Sequence, residues 1–332
     1  MTIFGTGEGW ILTDVRIPTS KFPSMTFRLY DKTEPRELPV IPRDQRMNDP
    51  RLYIPGEGLI DAVNVALALN QPLLLTGEPG TGKTQLAHHI AWFFNLGLPL
   101  VFNAQTTSTA RDLFYRYDAL GHFQYSQTHQ EQLSPEELEQ RFITYHGLGK
   151  AIQENRRFVV LIDEIDKAPR DLPNDVLAAL EDLEFYVPEI DKTYAASPDN
   201  RPVIIMTSNS EKNLPDPFLR RVTFYHIPFP SPEELLEILK AKVEDYSESD
   251  LKAVVKHFQQ LRKGRKVKLK KNPATAELIY WTLLLQKLGL DTGKLADPGS
   301  LSQEEKQKLA TSYSVLAKNK EDLAVLRGML KL

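Results

Sequence analysis

The sequence contains no cysteine among its 332 residues. Disulfide bonds, cysteine metal sites and thiol nucleophiles are therefore excluded. Long hydrophobic runs are missing as well: LPLVF, FVVLI and LIYWTLLL are far below the roughly 20 residues that a membrane-spanning helix needs. The first residues lack a basic start followed by an apolar stretch, which argues against a signal peptide. We therefore expect a cytoplasmic protein without a membrane span.

Charge of one sign is not in excess, since the formal net charge is −3. No general electrostatic attraction to nucleic acid or to anionic membranes follows from such a balance. The composition, with 41% hydrophobic and 26% charged residues, is that of a globular protein. The length is sufficient for two domains.

Residue patterning divides the chain into three parts. Residues 1–50 are rich in proline and charge, and we predict an N-terminal arm with an edge strand over Met25–Tyr30. In residues 51–228, short apolar runs alternate with helical patterns, which predicts an α/β core built on a parallel sheet. From the capping box that begins at Ser231, the pattern is helical to the end, so residues 229–332 are expected to form an all-helical domain.

A glycine-rich loop lies between a predicted strand, residues 72–76, and a predicted helix. Such a loop fits the pattern G-x-x-x-x-G-K-[ST], in which backbone N–H groups cradle phosphates at a helix N-terminus. Lys83 is predicted to reach the β- and γ-phosphates, and the Thr84 hydroxyl to bind Mg²⁺. The predicted nucleotide-binding residues are Gly77, Glu78, Pro79, Gly80, Thr81, Gly82, Lys83 and Thr84.

Two further apolar runs end in polar side chains. Residues 158–162 are followed by Asp163 and Glu164, and residues 203–207 are followed by Ser208 and Asn209. Since the carboxyl ends of buried parallel strands open on the ligand crevice, these side chains should meet there. We predict that Asp163 holds Mg²⁺, that Glu164 polarises the attacking water, and that Asn209 contacts the γ-phosphate or that water.

The segments GEPGTGKT, VVLIDEID, IIMTSNS and LPDPFLRR, in this order, resemble the motifs of AAA+ ATPases, which are P-loop NTPases with a helical lid domain. Within that group, residues 53–84 and the stretch KKNPATAELIYW resemble the MoxR-like branch, which is related to chelatase and dynein–midasin-type ATPases. The resemblance implies hydrolysis of ATP with Mg²⁺ in a homo-oligomeric ring, usually a hexamer. It also implies a chaperone-like role on a protein partner, with a von Willebrand factor A domain protein as the candidate.

The same resemblance suggests roles for three more residues. Arg221 stands where a neighbouring subunit's arginine finger should be, with Arg220 as the adjacent alternative. Asn103 matches the polar residue that, in relatives, holds the catalytic glutamate off the water; a structural asparagine is the other interpretation. The lid departs from the family, because Ala276 stands where many relatives have an arginine, and Lys270 or Lys271 could substitute for it.

The chain between a second predicted strand, residues 98–103, and the strand that begins at Phe158 is longer than a simple connection requires. Residues 110–127 resemble the helix-2 insert of the branch, a hairpin that faces the ring pore, with strands over Phe114–Tyr117 and His122–Tyr125 and a turn at residues 118–121. An aromatic helix face packed in the core is the alternative interpretation.

Two other functions remain open at this stage. The basic run Arg262–Lys271 is interpreted as a solvated lid segment, but it is also the local support for a motor subunit of a nucleic-acid-targeting defence complex. No aromatic residues interleave it, so nucleic acid is the less favoured partner. A scaffold that binds ATP without turnover is the third hypothesis, against which the set Glu164, Asn209 and Arg221 argues.

Overall fold

The described strands and helices all lie within the unit Arg43–Leu332. The computed structural model describes residues 46–129, 133–169, 172–173, 176–177, 180, 183–209, 214–263 and 268–330. The predicted strand over Met25–Tyr30 and nearly all of the predicted arm lie outside the described residues.

The apolar runs over residues 72–76, 158–162 and 203–207 form strands, as predicted. The strands are β1 (Leu73–Thr76), β2 (Leu100–Asn103), β3 (Tyr115–Tyr117), β4 (Ile143–Tyr145), β5 (Val159–Asp163), β6 (Glu184–Val187), β7 (Lys192–Ala195), β8 (Val203–Thr207) and β9 (Thr223–His226). The helices are α1 (Glu57–Leu69), α2 (Lys83–Phe93), α3 (Ala119–Thr128), α4 (Pro135–Phe142), α5 (Gly147–Gln153), α6 (Asp216–Leu219), α7 (Pro232–Lys242), α8 (Glu248–Lys263), α9 (Thr275–Lys287), α10 (Gln303–Leu316) and α11 (Lys320–Gly328).

A parallel five-stranded sheet in the order β2-β5-β8-β1-β9 is the centre of the fold. Its strands bury alternate side chains on opposite faces, as the two-residue period of a strand requires. Leu74 belongs to the apolar cluster on one face, whereas Leu73 and Leu75 belong to the cluster on the other. Burial on both faces explains why β1, β5 and β8 read as continuous apolar runs. The predicted α/β class is confirmed.

The helices from α7 onward surround a separate apolar core that includes Leu239, Phe258, Trp281 and Tyr313. The predicted capping box at Ser231 is present: its hydroxyl accepts from the Glu234 N–H at 3.1 Å, while its own N–H donates to the Glu234 carboxylate at 2.7 Å. This all-helical part is the lid of the sequence prediction.

The predicted hairpin within residues 110–127 is wrong. Residues 119–128 form the helix α3, and Tyr117 pairs with Ile143 of β4 rather than with residues 122–125. The reason is local, because the Asp118 carboxylate accepts the Gly121 N–H at 2.9 Å and so begins a helix where a turn was expected. His122 and Tyr125, one helical turn apart, both lie against the Phe142 ring. The alternative, an aromatic helix face packed in the core, is confirmed as a helix with an aromatic face, but none of the residues of α3 is buried.

A membrane span is also tested by the helix lengths. Across the described ranges, none of the helices combines the length and the apolar character needed to cross a lipid bilayer.

Candidate functional site

The glycine loop connects β1 to α2 at the carboxyl edge of the sheet. Gly77, Gly80 and Gly82 have φ values of 144°, 77° and 89°, in the region that favours glycine. At Gly77 a side chain is also excluded by space, because a Cβ would lie 2.6 Å from the carbonyl oxygen of Ile227, the residue after β9. The loop therefore curls tightly ahead of α2, at a helix N-terminus that favours anions.

Lys83 is buried, and its ammonium is held by three acceptors. Its Nζ donates to the carbonyls of Gly77 at 2.8 Å and Glu78 at 3.1 Å, and to the Asn209 side-chain oxygen at 2.9 Å. Burial lowers the pKa of Lys83, while Asp163, together with the carboxylates of residues 164 and 166, acts in the opposite sense. The predicted phosphate-contacting lysine and the asparagine that follows β8 are thus brought together.

Thr84 and Asp163 form a pair of oxygen donors beside the loop. The Thr84 hydroxyl donates to the Asp163 carboxylate at 3.1 Å and 3.3 Å. Thr207, at the buried end of β8, donates to the same carboxylate and accepts the Glu164 N–H at 2.9 Å. Hydroxyl and carboxylate oxygens fit Mg²⁺, which is usually held by one or two protein oxygens together with substrate phosphates. In the described ranges there is no cluster of three or more His, Cys, Asp or Glu that could act as an all-protein cage.

Glu164 has an unusual backbone conformation directly after β5. Its φ of 58° and ψ of 46° are left-handed, a strained region for a residue with a side chain. One carboxylate oxygen pairs with Lys167, and the other accepts from the Asn209 amide at 3.3 Å. Asn209 therefore bridges Lys83 and Glu164. Its N–H donates to Asp166 at 3.3 Å, so Asp166 and Lys167 both contact the site.

Asn103 ends β2 directly beside Asp163 in the parallel register. Its side chain is exposed, and among the described hydrogen bonds none joins it to Glu164. The contacts that hold the Glu164 carboxylate come from Lys167 and Asn209 instead. The switch role of Asn103 stays a prediction.

Arg220 and Arg221 follow the short helix α6, and both side chains are exposed. Neither belongs to the lining of the cavity at the glycine loop of the same chain. Their predicted role therefore requires a second subunit, and it stays a prediction.

A cavity of about 690 Å³ opens over the glycine loop, between the sheet edge and the lid. Lys83, Thr84, Asp163, Glu164 and Asn209 all line it. Apolar side chains from the chain before α1 and from the lid line it as well: Met47, Leu52, Tyr53, Ile54, Ile238 and Ile279. The cavity thus combines phosphate-binding and carboxylate groups with apolar surface suited to a nucleotide base.

The lid reaches this cavity through residues that sequence reasoning did not select. Lys242 of α7 is buried and donates to the carbonyls of Arg46 at 2.9 Å and Met47 at 3.1 Å. Ala276 lines the cavity, whereas Lys270 and Lys271 are exposed and do not. In the sequence, only two features indicate where these contacts form: the apolar run before the glycine loop and the capping box at residue 231.

The interpretation of Arg262–Lys271 as a solvated segment is wrong at its first residue. Arg262 is buried, and its guanidinium lies over the Phe229 ring, with Cζ 3.5 Å from the centroid. It also contacts the carboxylate of Glu78 in the glycine loop. Lys270 and Lys271 are exposed, as expected.

Comparisons with known proteins agree with this geometry. The family model described as AAA domain (dynein-related subfamily) matches residues 72–222. The chain is 30% identical over 172 residues to the peroxisomal Lon protease homolog 2 of Oryza sativa subsp. indica, covering 50% of this chain and 17% of that protein. It is 30% identical over 215 residues to the Lon protease of Metamycoplasma arthritidis, covering 61% of this chain and 22% of that one. The chain thus spans about a fifth of the length of these curated relatives.

Among solved structures, a point variant of RuvB from Thermotoga maritima matches with a TM-score of 0.40 and 17% identity, covering 77% of this chain and 74% of that chain. The matched family segment runs from the residue before β1 to the residue before β9, and so contains the glycine loop, the β5 carboxylates and Asn209. Residues 72–222 therefore match the model of an AAA domain, and the described residues have the parallel sheet and the C-terminal helices of the predicted fold class.

Proposed function

We propose that the chain binds ATP with Mg²⁺ and hydrolyses it to ADP and phosphate. The observation that carries the proposal is the set of contacts from Thr84 to Asp163 and from Lys83 through Asn209 to Glu164, all within one cavity. Lys83 would bind the β- and γ-phosphates, and Thr84 and Asp163 are the residues that would hold Mg²⁺. The metal, when bound, offsets charge on the phosphate oxygens.

In this proposal Glu164 activates the attacking water. As the water oxygen bonds to the γ-phosphorus, the bond to the β–γ bridging oxygen breaks, and a proton of the water passes to the Glu164 carboxylate. Asn209, bonded to both Lys83 and Glu164, would orient the water relative to the γ-phosphate. Lys167 pairs with the same carboxylate, so it would have to yield before that carboxylate accepts the proton.

Withdrawal of the metal tests this hydrolysis proposal. Because Thr84 and Asp163 offer a hydroxyl and a single carboxylate, Mg²⁺ held there would depend on the nucleotide phosphates for further ligands. We expect excess EDTA to reduce steady-state phosphate release to background and added Mg²⁺ to restore it. Full turnover in EDTA, with metal-free protein verified by elemental analysis, would contradict the assignment of this pair.

We further propose that the chain acts in a ring of identical subunits, of hexameric size as the family resemblance implies. Support comes from Arg221 and Arg220, which are exposed and outside the cavity of their own chain. A second support is an exposed aromatic cluster at the end of α2, where Phe93 is 65% exposed beside Trp92 and Phe94. Exposed apolar clusters of this kind are typical of protein–protein contacts.

A mixing experiment tests the ring and its arginine together. Arg221→Ala subunits should bind ATP but hydrolyse it about 1,000- to 100,000-fold more slowly, the range for loss of an arginine finger supplied by a neighbour. Lys83→Ala subunits should be inactive because their own sites fail. In an equal mixture, about a quarter of the interfaces pair an intact Lys83 site with an intact Arg221, and those should regain activity.

The assay is phosphate release across a mixing series, at concentrations where sizing shows oligomers and where pull-down of differently tagged subunits confirms mixed assemblies. Recovery at intermediate ratios supports an arginine acting between subunits. A flat line at background in confirmed mixed rings would exclude that role for Arg221. Repeating the series with Arg220→Ala distinguishes the two neighbouring arginines.

For the client, we propose a protein partner that the ring remodels or assembles in the cytoplasm, with a von Willebrand factor A domain as the candidate that the MoxR resemblance implies. Proteins retained by ATP-loaded Glu164→Gln rings, and released by ADP, would identify it. Stimulation of turnover by nucleic acid would favour the motor hypothesis instead. That hypothesis loses support because the buried Arg262 is unavailable to nucleic acid phosphates. Absence of turnover under every condition would favour the scaffold.

A further inference from the structure

Arg262 is an arginine of the lid that reaches the glycine loop. It lies in the last turn of α8, and only 4% of its side chain is exposed. Its Nη1 donates to the Pro273 carbonyl at 2.6 Å, and its Nη2 pairs with the Glu78 carboxylate. Stacking on Phe229 fixes the plane of the guanidinium. One side chain thus connects the lid helix α8, the segment before α9, and the phosphate loop.

Glu78 connects Arg262 to the phosphate-binding groups. While its carboxylate pairs with Arg262, its backbone carbonyl accepts from Lys83 at 3.1 Å and from the Thr81 hydroxyl at 2.9 Å. If Glu78 moved, its backbone carbonyl would move with it. That carbonyl accepts from Lys83, the residue assigned to the β- and γ-phosphates. The glutamate side chain itself is 53% exposed, so the buried arginine is the fixed member of the pair.

The lid also packs directly on the loop. A Cβ at Gly80 would lie 2.8 Å from the Cβ of Ala274, in the segment whose preceding residue, Pro273, is bonded to Arg262. The small side chains of Ala274 and Ala276 thus lie over the middle of the loop, at the position where relatives have a basic side chain. Coupling between lid and nucleotide would then pass through the loop itself.

The charges of Arg262 and Glu78 predict whether the coupling strengthens or weakens nucleotide binding. Glu78 does not line the cavity itself, but it belongs to the loop whose following residues do. A carboxylate in this loop repels a triphosphate, and because the Glu78 side chain is half-exposed, that repulsion is sensitive to solvent and salt. Arg262 offsets the charge and holds Glu78 toward the lid. Without the arginine, the loop would carry an uncompensated carboxylate beside the residues assigned to the phosphates.

We propose that Arg262 is a positioning residue that couples the lid to nucleotide binding through Glu78. It would take the place of a direct contact between a lid arginine and the γ-phosphate. The inference rests on the proposed function, because it assumes that the phosphates of ATP bind at this loop.

A double-mutant cycle tests it, with the full chain and a non-hydrolysable ATP analogue with Mg²⁺ as the calorimetric ligand. The variants are Arg262→Met, Glu78→Gln and their combination. Lys294→Met is the matched control, since it breaks an ion pair of 2.7 Å with Glu305 inside the lid. Should Arg262→Met lower the melting temperature much more than the control does, Arg262→Gln takes its place in the same cycle.

We expect Arg262→Met to weaken binding about tenfold when Glu78 is present, and by less than about twofold when residue 78 is glutamine. The loss should shrink as salt is raised, because added ions screen the exposed carboxylate. Arg262→Lys, which keeps the charge, should recover most of the affinity.

An equal loss in both backgrounds, independent of salt and not recovered by lysine, would overturn the inference and reduce Arg262 to a packing residue on Phe229. Failure of the wild-type protein to bind the analogue would instead contradict the proposed function. The two failures are therefore distinguishable in one set of titrations.

Discussion

The Glu164→Gln variant is expected to bind ATP with Mg²⁺ about as tightly as the wild type and to hydrolyse it roughly 100- to 10,000-fold more slowly. Glutamine keeps the size of the side chain and an oxygen that can accept from Asn209, whose amide lies 3.3 Å from the carboxylate. An amide does not accept a proton from water at neutral pH. This variant should therefore retain ATP binding and lose ATP hydrolysis.

Glu304→Gln supplies the matched control, because Glu304 pairs with Lys308 on the lid surface at 3.0 Å. Its turnover should equal that of the wild type. Steady-state phosphate release and calorimetry on both variants give the comparison. Near-normal turnover of purified Glu164→Gln would rule out the role assigned to this glutamate.

For Lys83→Ala we expect ATP binding to weaken roughly 10- to 150-fold, the range for loss of a hydrogen bond to a charged group, and turnover to fall to background. The Lys83 ammonium donates to two loop carbonyls and to the Asn209 oxygen, so its removal leaves these acceptors unpaired. The loop then lacks the cation that the triphosphate requires.

Since Lys83 is buried, a folding defect has to be separated from a binding defect. The melting temperature of the ligand-free variant measures the first, and calorimetric affinity measures the second. Lys308→Ala, at an exposed lysine of the lid, is the control and should change neither. Unchanged ATP affinity of folded Lys83→Ala would contradict the assignment of the loop.

Most of the sheet and its polar edge could be predicted from the sequence. The apolar runs become β1, β5 and β8 because strands buried on both faces leave an unbroken hydrophobic pattern. Parallel strands end at a common edge, and the positions of Asp163 at the end of β5 and of Asn209 just after β8 therefore bring both side chains near Lys83. Thr207 lies at the same edge, but one threonine at the end of an apolar run is too common to be selected from sequence.

Contacts between distant residues could not be predicted. Tyr117 pairs with Ile143 across two intervening helices, and no local pattern in one sequence indicates that register. In the sequence, Arg262 belongs to a charge run and is therefore interpreted as solvated. Its partner Glu78 is 184 positions away, so no local pattern indicates the pair. Burial of a cation depends on such a partner being present in the fold.

A single-turnover measurement tests the central claim, hydrolysis of ATP at this site, most directly. Wild-type protein in excess over ATP labelled at the γ-phosphate is mixed with Mg²⁺ at a concentration where oligomers form, and bound nucleotide and free phosphate are quantified over time. We predict that the wild type converts its bound ATP to ADP and releases labelled phosphate, while Glu164→Gln retains intact ATP over the same period. Intact ATP recovered from both proteins, or equal conversion by both, would contradict the account.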